Sequence, residues 1–266
     1  MAREREKVKE GDLKPQVYKD PRPAEYFDGF HKAARRGPNL MWDIVRMVVT
    51  PICLFFFRTR AIGVENVPLT GKLIITPNHF SQMDHFLAGI YMRRKVQFMA
   101  KSQLFGNPIL NWIFRNGGVF PVRRGYDDTE AFETARTVLD NDRALLMYAE
   151  GGRSRSGDLG KPKRGVGKIA LETGAPVVPV AIHGSLGVRG WKRLHFPKVT
   201  VQYGEPMSFP VQENPSREAQ QQVADQVFDH VRAMYVDIEE NGRQGVLRRV
   251  REGLPTPSPA PQRHSS

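Results

Sequence analysis

Short apolar runs alternate with amphipathic stretches along most of the chain. Runs rich in β-branched and other apolar residues predict buried strands in GKLIITPNH, VQFMAK, GVFPV, ALLMYAEG, PVVPVAIHG and KVTVQYGEP. Apolar positions at helical spacing predict helices in DHFLAGIYMRR, DDTEAFETARTVLDN, GVGKIALETG and PSREAQQQVADQVFDHVRAMYVDIEEN. The stretch PILNWIFRNGG is predicted to be a short helical or loop segment. Because strands alternate with helices, the pattern predicts a single α/β domain with a mixed, largely parallel sheet covered by helices.

A strongly apolar stretch, LMWDIVRMVVTPICLFFF, precedes this domain. Its uncharged part, residues 47–57, is well short of the roughly 20 residues that span a bilayer. Residue types that favour the membrane interface flank it: Trp42, Arg46, Arg58 and Arg60. We therefore predict that residues 40–60 form a helical segment that dips into a membrane without crossing it. The alternative is a buried helix interrupted at Pro51.

The remaining segments complete the predicted organisation. Residues 1–39 are highly charged and lack an apolar core of signal-peptide type, so we expect a protein that is not secreted. Residues 61–240 form the predicted α/β domain. Residues 241–266 are first basic and then rich in proline and serine, a composition typical of a disordered tail.

Composition and charge narrow the possible partners and sites. Of the 266 residues, 40 are lysine or arginine and 28 are acidic, which gives a net charge of +12 and a pI near 10.0. This balance predicts a polyanionic partner or an anionic membrane surface. The single cysteine, Cys53, excludes an internal disulfide and a cysteine-ligated metal cluster and fits a reducing, cytosolic compartment. The chain also lacks an HExxH motif, so we predict no metal site.

The stretch NHFSQMDHF holds a candidate catalytic pair, His79 and Asp84. Positions five apart lie about 140° apart around a helix, so the two side chains can meet only if His79 occupies the turn before the helix. The strand that ends at TPN supplies this turn, and Ser81 or Asn78 can cap the helix. A carboxylate on one ring nitrogen leaves the other free to accept a proton. The alternatives are a capping histidine with an exposed aspartate, or His85 as the base, although His85 would point away from the strand end.

Basic and glycine-rich clusters follow two other predicted strands. GGVFPVRR ends with Arg123 and Arg124, and YAEGGRSRSG ends another strand with Glu150, Gly151, Gly152 and Arg153. The segment GKPKRGVGK then adds Lys161, Lys163, Arg164 and Lys168. Arginines beside the amides of a glycine turn suit a phosphate, and α/β folds place ligand sites at strand ends. A solvated basic face is the alternative.

In this order, the clusters resemble the motifs of the glycerolipid acyltransferases, specifically the 1-acylglycerol-3-phosphate acyltransferases. The first motif, Asn-His-x-Ser-x-x-Asp, is similar to Asn78, His79, Ser81 and Asp84. The second is similar to Gly117, Phe120 and Arg123, with Arg124 an equally placed rival. The third, Phe-Pro-Glu-Gly-Thr-Arg-Ser, resembles Tyr148, Ala149, Glu150, Gly151, Gly152, Arg153 and Ser154, with alanine replacing proline and glycine replacing threonine. The fourth resembles Val178, Pro179, Val180 and Ala181.

The resemblance implies an acyltransferase that converts lysophosphatidic acid to phosphatidic acid, with an acyl thioester of coenzyme A or acyl carrier protein as donor and no cofactor. It implies that His79 is a general base oriented by Asp84, and that Arg123 and Arg153 hold the phosphate while Glu150 orients them or an acceptor hydroxyl. The implied substrate-binding residues are Arg123, Arg124, Glu150, Gly151, Gly152, Arg153, Ser154 and Lys163. We expect a monotopic or peripheral protein at the cytoplasmic face of the membrane.

The sequence also allows other acceptors and other functions. Another lysophospholipid or a lyso-glycolipid could be the acceptor, because the third motif is altered. A non-catalytic protein that binds anionic lipid or nucleic acid is a second class, but the chain lacks a helix-turn-helix, zinc or RNA-binding signature. GVGKIA matches a nucleotide-binding G-x-G-x-x-A pattern yet follows a basic loop, where that pattern requires a strand. Phe98, Met99 and Phe105 could line an acyl tunnel or belong to the core.

Overall fold

The computed structural model describes residues 19–126, 128–154, 156–188 and 196–255. Within them, the strands are β1 Arg60–Ile62, β2 Leu73–Pro77, β3 Val96–Lys101, β4 Phe120–Val122, β5 Ala144–Leu146, β6 Val177–His183 and β7 Thr200–Tyr203. The α-helices are α1 Asp28–Arg36, α2 Leu40–Phe56, α3 Asp84–Gly89, α4 Pro108–Gly117, α5 Thr129–Asp140, α6 Gly165–Thr173, α7 Ser185–Val188 and α8 Arg217–Arg251.

The strands form one mixed sheet in the order β1-β7-β6-β2-β5-β3-β4. The five strands from β6 to β4 pair in parallel, whereas β7 pairs antiparallel with β6 and parallel with β1. The predicted α/β class and the largely parallel sheet are therefore confirmed. Because β6, β2, β5, β3 and β4 run in the same direction, their carboxyl ends meet along one edge of the sheet.

Each face of the sheet is covered, which explains why its strands are apolar on both sides. Along β5, Leu145 contributes to the core under α1, α5, α6 and α8, while Ala144 and Leu146 contribute to the core under α2 and α3. This alternation follows from the two-residue period of a strand. The side chains that leave the carboxyl edge consequently divide between two faces.

The folded unit is larger than the predicted range 61–240. At its start, α1 packs on the domain through the buried Phe30 and Ala34. At its end, α8 continues to Arg251 across a break at Gly242, where φ is 64°. The helical part beyond that break buries Val246, so residues 243–251 pack on the domain, contrary to the predicted tail. The proline- and serine-rich residues 256–266 lie outside the described residues.

Two predicted elements are shorter in the structure. Helix α3 ends at Gly89 because the chain turns back towards β3, and the guanidinium of Arg94 holds that return by donating to the carbonyls of Pro68, Gly71 and Asp142. Strand β5 ends at Leu146, ahead of a loop in which Gly151 adopts φ of 66°. Predicting these ends would require knowing contacts made far along the chain.

Helix α2 runs through Pro51 without interruption, unlike the buried and interrupted alternative. Asn39 caps it by accepting a hydrogen bond from the amide of Met41 at 2.8 Å. Its outer face is apolar and exposed: Leu40, Ile44, Met47, Val48, Ile52, Leu54, Phe55 and Phe56. By length and composition, no single helix of the described part of the chain could cross a bilayer, whereas the pair Ala24–Arg36 and Leu40–Phe56, bent by 87°, could do so together.

Candidate active site

The candidate base His79 lies in the turn between β2 and α3, as the five-residue spacing requires. Asp84 opens α3, and its Oδ2 accepts a hydrogen bond from Nδ1 of His79 at 2.9 Å. The same oxygen accepts from the backbone amides of Phe80 at 2.7 Å and Ser81 at 2.6 Å. One buried carboxylate therefore shapes the turn and fixes the imidazole ring.

The protonation state of His79 suits a base. Burial lowers the pKa of His79 below its ordinary value, the hydrogen bond to Asp84 opposes that shift, and the nearby guanidiniums of Arg153 and Arg124 lower it further. With Nδ1 donating to Asp84, Nε2 has no hydrogen-bond partner among the described residues. His79 can thus accept a proton at Nε2 near neutral pH.

Two aromatic rings enclose the imidazole of His79. Tyr148 stacks on it with ring centroids 3.8 Å apart and an interplanar angle of 17°, and His85 meets it edge-on at 5.2 Å. The expectation that His85 points away from the strand end is wrong, because α3 begins only one residue earlier and its first turn folds over His79. Burial lowers the pKa of His85 to about 3, so this ring is neutral too.

Asn78 and Ser81 stabilise the turn in different ways. Asn78 does not cap α3; its side chain donates to the carbonyl of Ile182 at 3.1 Å and accepts from the amide of Ile182 at 2.7 Å. Asn78 therefore ties the end of β2 to β6. The hydroxyl of Ser81 accepts from the amide of Met83 at 3.2 Å, just before α3 begins.

Glu150 joins the His79 turn to the loop after β5. Its Oε1 accepts from the amide of His79 and its Oε2 from the amide of Gly160, both at 2.8 Å. The amide of Ser154 also donates to the carbonyl of His79 at 2.8 Å. Both oxygens of Glu150 thus bond backbone amides, whereas the implied partners were arginines or a substrate hydroxyl. Burial raises the pKa of Glu150 to about 7.

Three cationic side chains that end or follow strands at the carboxyl edge of the sheet make up what we call the cationic cluster: Lys101, Arg124 and Arg153. Burial lowers the pKa of Lys101, and the charges of Arg153 and Arg124 lower it further. The same two guanidiniums also lower the pKa of His79. Sequence reasoning missed Lys101, although a lysine ending the strand VQFMAK was a usable signal.

Arg123 and Arg124 leave the sheet on opposite sides. Arg123 donates to the carbonyl of Arg22 at 3.3 Å, and its guanidinium carbon lies 4.3 Å from the ring centroid of Tyr126. Arg124 approaches Gly152 and lies on the same side as Val122, as the two-residue period of an extended chain predicts. The structure therefore brings Arg124 to the candidate site and turns Arg123 towards the N-terminal segment.

On the side of Val122, Arg124 opens onto a cavity of about 490 Å³, which we call the cationic cavity. Its basic lining residues are Arg124, Lys163, Arg164 and Lys168. Its apolar lining includes Met99, Phe132, Met147 and Val166. The stem of Lys163 packs against Gly151, whose φ of 66° favours glycine. A cavity with a basic rim and an apolar floor suits an amphiphile with an anionic headgroup.

On the opposite face of the sheet lies a second cavity of about 210 Å³, which we call the apolar cavity. Helices α2, α3 and α4 and strand β3 line it, with residues that include Trp42, His85, Phe98, Ile113, Phe114 and Gly117. Phe98 and Met99, both considered as tunnel residues, line different cavities because neighbours on β3 face opposite sides. Phe105 packs instead in the core against Phe27 and Phe30.

The glycines of GVGKIA have a packing role. Gly165 begins α6, and a Cβ at Gly167 would overlap the backbone of Gln220 in α8. Gly167 thus permits the close approach of α6 and α8, which covers one face of the sheet. Helix packing therefore explains the glycines of GVGKIA, and a nucleotide-binding role is not needed to account for them.

Nearly half of the chain matches a known protein family. Residues 58–183 match the family profile described as Acyltransferase. Residues 58–183 thus form an acyltransferase domain. The match extends from just before β1 to the end of β6 and therefore includes the His79 turn, both strand ends with basic clusters and the glycine turn of this acyltransferase domain.

The chain is similar to several named relatives. It is 28% identical over 133 residues to the chloroplastic 1-acyl-sn-glycerol-3-phosphate acyltransferase BAT2 of Brassica napus, covering 49% of this chain and 38% of that protein. It is 32% identical over 125 residues to the 1-acyl-sn-glycerol-3-phosphate acyltransferase of Borreliella burgdorferi, covering 46% and 50%. The chain thus spans half or less of the length of these curated relatives.

A solved structure is similar over most of the chain. The crystal structure of the 1-acyl-sn-glycerophosphate (LPA) acyltransferase from Thermotoga maritima aligns with a TM-score of 0.57 at 25% identity, covering 80% of this chain and 79% of that one. The coverage exceeds residues 58–183, so the likeness extends beyond the family profile to the flanking elements of the fold.

Proposed function

We propose that this acyltransferase moves an acyl chain from an acyl thioester to the free hydroxyl of lysophosphatidic acid, which gives phosphatidic acid. One observation carries the proposal: the buried His79, held by Asp84 at the carboxyl edge of the sheet, contacts a ring that lines each cavity. Tyr148 stacks on His79 and lines the cationic cavity, and His85 meets His79 edge-on and lines the apolar cavity. Such an arrangement can hold an anionic acceptor and an acyl chain on either side of a base. The names of the relatives support the same reaction.

The chemistry follows from the free nitrogen of His79. Nε2 removes the proton of the acceptor hydroxyl as its oxygen attacks the thioester carbonyl carbon. A carbon–oxygen bond forms, the carbonyl becomes a tetrahedral oxyanion, and its collapse breaks the carbon–sulfur bond. The imidazolium then returns the proton to the leaving thiolate. Asp84 holds the ring throughout and stabilises the imidazolium. The step needs no enzyme nucleophile, and we propose no cofactor beyond the thioester.

The two cavities suit different parts of the substrates. The cationic cluster and cavity would bind the acceptor phosphate through charge-assisted hydrogen bonds, with Arg124 and Arg153 nearest the base. The apolar cavity would bind the acyl chain of the donor, since His85 lines it and touches the ring of His79. Coenzyme A and acyl carrier protein are both anionic, so the net charge of +12 favours either donor.

We also propose that the protein docks on the cytoplasmic face of a membrane through α2 and α4. Met47 and Phe55 of α2 are 70% and 76% exposed, and Trp112 of α4 is 58% exposed. An apolar surface of this extent is typical of a membrane or protein contact. The M47D/F55D variant should lose binding to anionic vesicles in a flotation assay. V236D, on an exposed valine of α8, is the control; equal binding by M47D/F55D and V236D would refute this docking surface.

The reaction is tested by measuring the thiol released from acyl-coenzyme A or from acylated acyl carrier protein. The assays are run in detergent, with and without lysophosphatidic acid. We expect release that depends on the acceptor and disappears in His79→Ala, while circular dichroism shows the variant folded. Parallel assays with another lysophospholipid and with a lyso-glycolipid test the alternative acceptors. Turnover like that of the wild type in the variant would eliminate His79 as the base. If the protein binds lipid but releases no thiol with any combination of donor and acceptor, it is a non-catalytic lipid-binding protein.

A further inference from the structure

A further cavity, of about 500 Å³, lies at the amino edge of the sheet, and we call it the amino-edge cavity. Its walls are the residues just before β2, β3 and β5 and the corner between α1 and α2. His79 follows β2 at the other edge, and the five residues of β2 span about 16 Å. The amino-edge cavity is therefore separate from the candidate active site.

Positive charge dominates the lining of the amino-edge cavity. Four basic residues and one acidic residue line it: Arg36, Arg94, Lys95, Arg143 and Asp142. Lys95 pairs with Asp43 of α2 at 2.7 Å. The described hydrogen bonds of Arg94 and Arg143 all go to backbone carbonyls, so neither charge is matched by a bonded carboxylate. The cavity therefore suits an anionic group.

The corner between α1 and α2 accommodates the guanidinium of Arg143. Gly37 at this corner has φ of 100°, and a Cβ on it would lie 2.8 Å from Cζ of Arg143. Both the backbone conformation and the close approach favour glycine. Nη1 of Arg143 donates to the carbonyl of Arg35 at 2.9 Å, whereas its Nη2 has no hydrogen-bond partner in the described part of the chain. One arm of this guanidinium is thus held in place and the other is available to a ligand.

The amino-edge cavity also has a buried acceptor in its wall. Gln97 is 1% exposed, and its Nε2 donates to the carbonyls of Ala34 at 2.9 Å and Gly118 at 3.1 Å. These two bonds fix the orientation of the amide. Oε1 of Gln97 has no hydrogen-bond partner among the described residues. Because an unpaired buried acceptor is costly, Oε1 indicates a ligand that carries a hydrogen-bond donor.

Exposed apolar side chains adjoin the amino-edge cavity. Leu69 in its wall is 60% exposed, and Leu40, the first residue of α2, is 69% exposed. Lys95 joins the wall to the start of α2 by donating to the carbonyl of Asn39 at 2.9 Å. The cavity therefore lies beside the apolar face of α2 that we propose to dock on a membrane, where lipid headgroups would meet it.

We propose that the amino-edge cavity binds the headgroup of an anionic phospholipid that carries a hydroxyl, as phosphatidylglycerol does. The arginines bind the phosphate, the hydroxyl donates to Oε1 of Gln97, and the acyl chains pass Leu69 and Leu40 towards the apolar face of α2. This lipid is an anchor for the start of α2 and not a substrate, since the substrates meet at the opposite edge of the sheet. The inference rests on the proposed docking through α2 and is independent of the reaction.

The first test compares two lipids in a flotation assay with phosphatidylcholine vesicles. One set contains phosphatidylglycerol and the other phosphatidylmethanol, which has the same charge but no hydroxyl. We expect the wild type to bind the phosphatidylglycerol vesicles about threefold to tenfold more tightly, the contribution of one hydrogen bond. Gln97→Met, checked for folding by circular dichroism, should lose this preference. Equal binding of the two lipids by the wild type would overturn the inference whether or not the variant folds.

The second test uses soluble probes, which separate this cavity from membrane docking. Dihexanoylphosphatidylglycerol below its micelle concentration should bind the wild type in calorimetry, and Arg36→Ala should weaken that binding about tenfold, as expected for a hydrogen bond to a charged group. Arg93→Ala is the matched control, because Arg93 is exposed nearby but does not line the cavity. Arg124→Ala controls for binding in the cationic cavity, and both controls should bind like the wild type.

The outcomes of the second test distinguish the possible occupants. Glycerol 3-phosphate should bind much more weakly than the short-chain lipid, because it lacks the acyl chains. Equal affinity for both probes would make the occupant a soluble phosphate ester and overturn the lipid assignment. An unchanged affinity in Arg36→Ala would overturn the site itself. If the short-chain lipid binds in this way while no vesicle does, the site stands and only the proposed docking through α2 fails.

Discussion

At the scale of single residues, Asp84 governs how His79 behaves. One oxygen of Asp84 accepts three hydrogen bonds, so the same group that shapes the turn also sets the tautomer of the ring. Burial lowers the pKa of His79, and Asp84 partly restores it. The balance leaves an imidazole that stays neutral below the pH at which an exposed histidine would be protonated.

This balance predicts the pH dependence of catalysis. A base must be deprotonated to act, so kcat/KM should fall on the acid side with a midpoint below pH 6.5, the ordinary value for histidine. Asp84→Asn removes the interactions that raise the pKa of His79, and its acid limb should move to still lower pH. Its plateau should fall about a hundredfold or more because the tautomer is no longer fixed. Rate profiles from pH 4.5 to 8 measure both effects, and an acid limb at or above 6.5 in the wild type would contradict them.

The raised pKa of Glu150 predicts that the free energy of unfolding depends on pH. Burial raises the pKa of Glu150 from 4.5 to about 7, so between these values the folded state holds a proton that the unfolded state has released. By linkage, this group makes stability fall as pH rises from about 4.5 to 7, with the loss complete above the folded pKa. Chemical denaturation at several pH values should show this contribution in the wild type and not in Glu150→Gln. An identical slope in the variant would mean that another group is responsible.

Local spacing allowed some of the site to be predicted, and tertiary packing determined the rest. His79 and Asp84 are five residues apart, so chain geometry alone limits how they meet. The choice between Arg123 and Arg124 depends on which face of β4 each side chain leaves, and Lys101 reaches the site through strand pairing. A single sequence carries no direct record of such contacts.

At the scale of elements, the pairing of α6 with α8 depends on one glycine. A Cβ at Gly167 would overlap the backbone of Gln220, whereas one at Gly165 would lie 3.7 Å from the ring of Phe132. Gly167→Ala should therefore destabilise the fold by about 1–3 kcal/mol, a typical cost of overpacking. Gly165→Ala, in the same helix, should be neutral or slightly stabilising because alanine favours helix. Thermal unfolding compares them, and equal melting temperatures would show that the helices can separate at little cost.

Periodicity predicted the existence and type of these elements better than their ends. The predicted strands and helices of the α/β domain are all present, because both faces of the sheet are buried and both signals are strong. The end of α3 and the continuation of α8 past Gly242 depend on side chains elsewhere, including Arg94 and Asp237. The prediction of a disordered tail after residue 240 was based on composition alone, which carries no information about these contacts.

At the scale of the whole molecule, the sheet separates the two cavities and its carboxyl edge brings both to His79. Phe98 and Met99 face opposite sides of β3, so adjacent residues contribute to different cavities. If one cavity holds the acyl chain and the other the acceptor phosphate, changes in one should leave binding in the other intact. This separation is a property of the sheet that no single motif encodes.

Gly117 gives the sharpest test of this separation. It lines the apolar cavity at the end of α4, and a Cβ there would meet nothing within 4 Å. Gly117→Val should fill part of the cavity and shift the preferred donor towards shorter acyl chains, by about fourfold in kcat/KM for each methylene excluded. The KM for lysophosphatidic acid should stay within about twofold. Gly106→Val, at an exposed turn that is equally open, is the matched control and should change neither value. A shift in acceptor KM without a change in chain preference would place the acyl chain outside the apolar cavity.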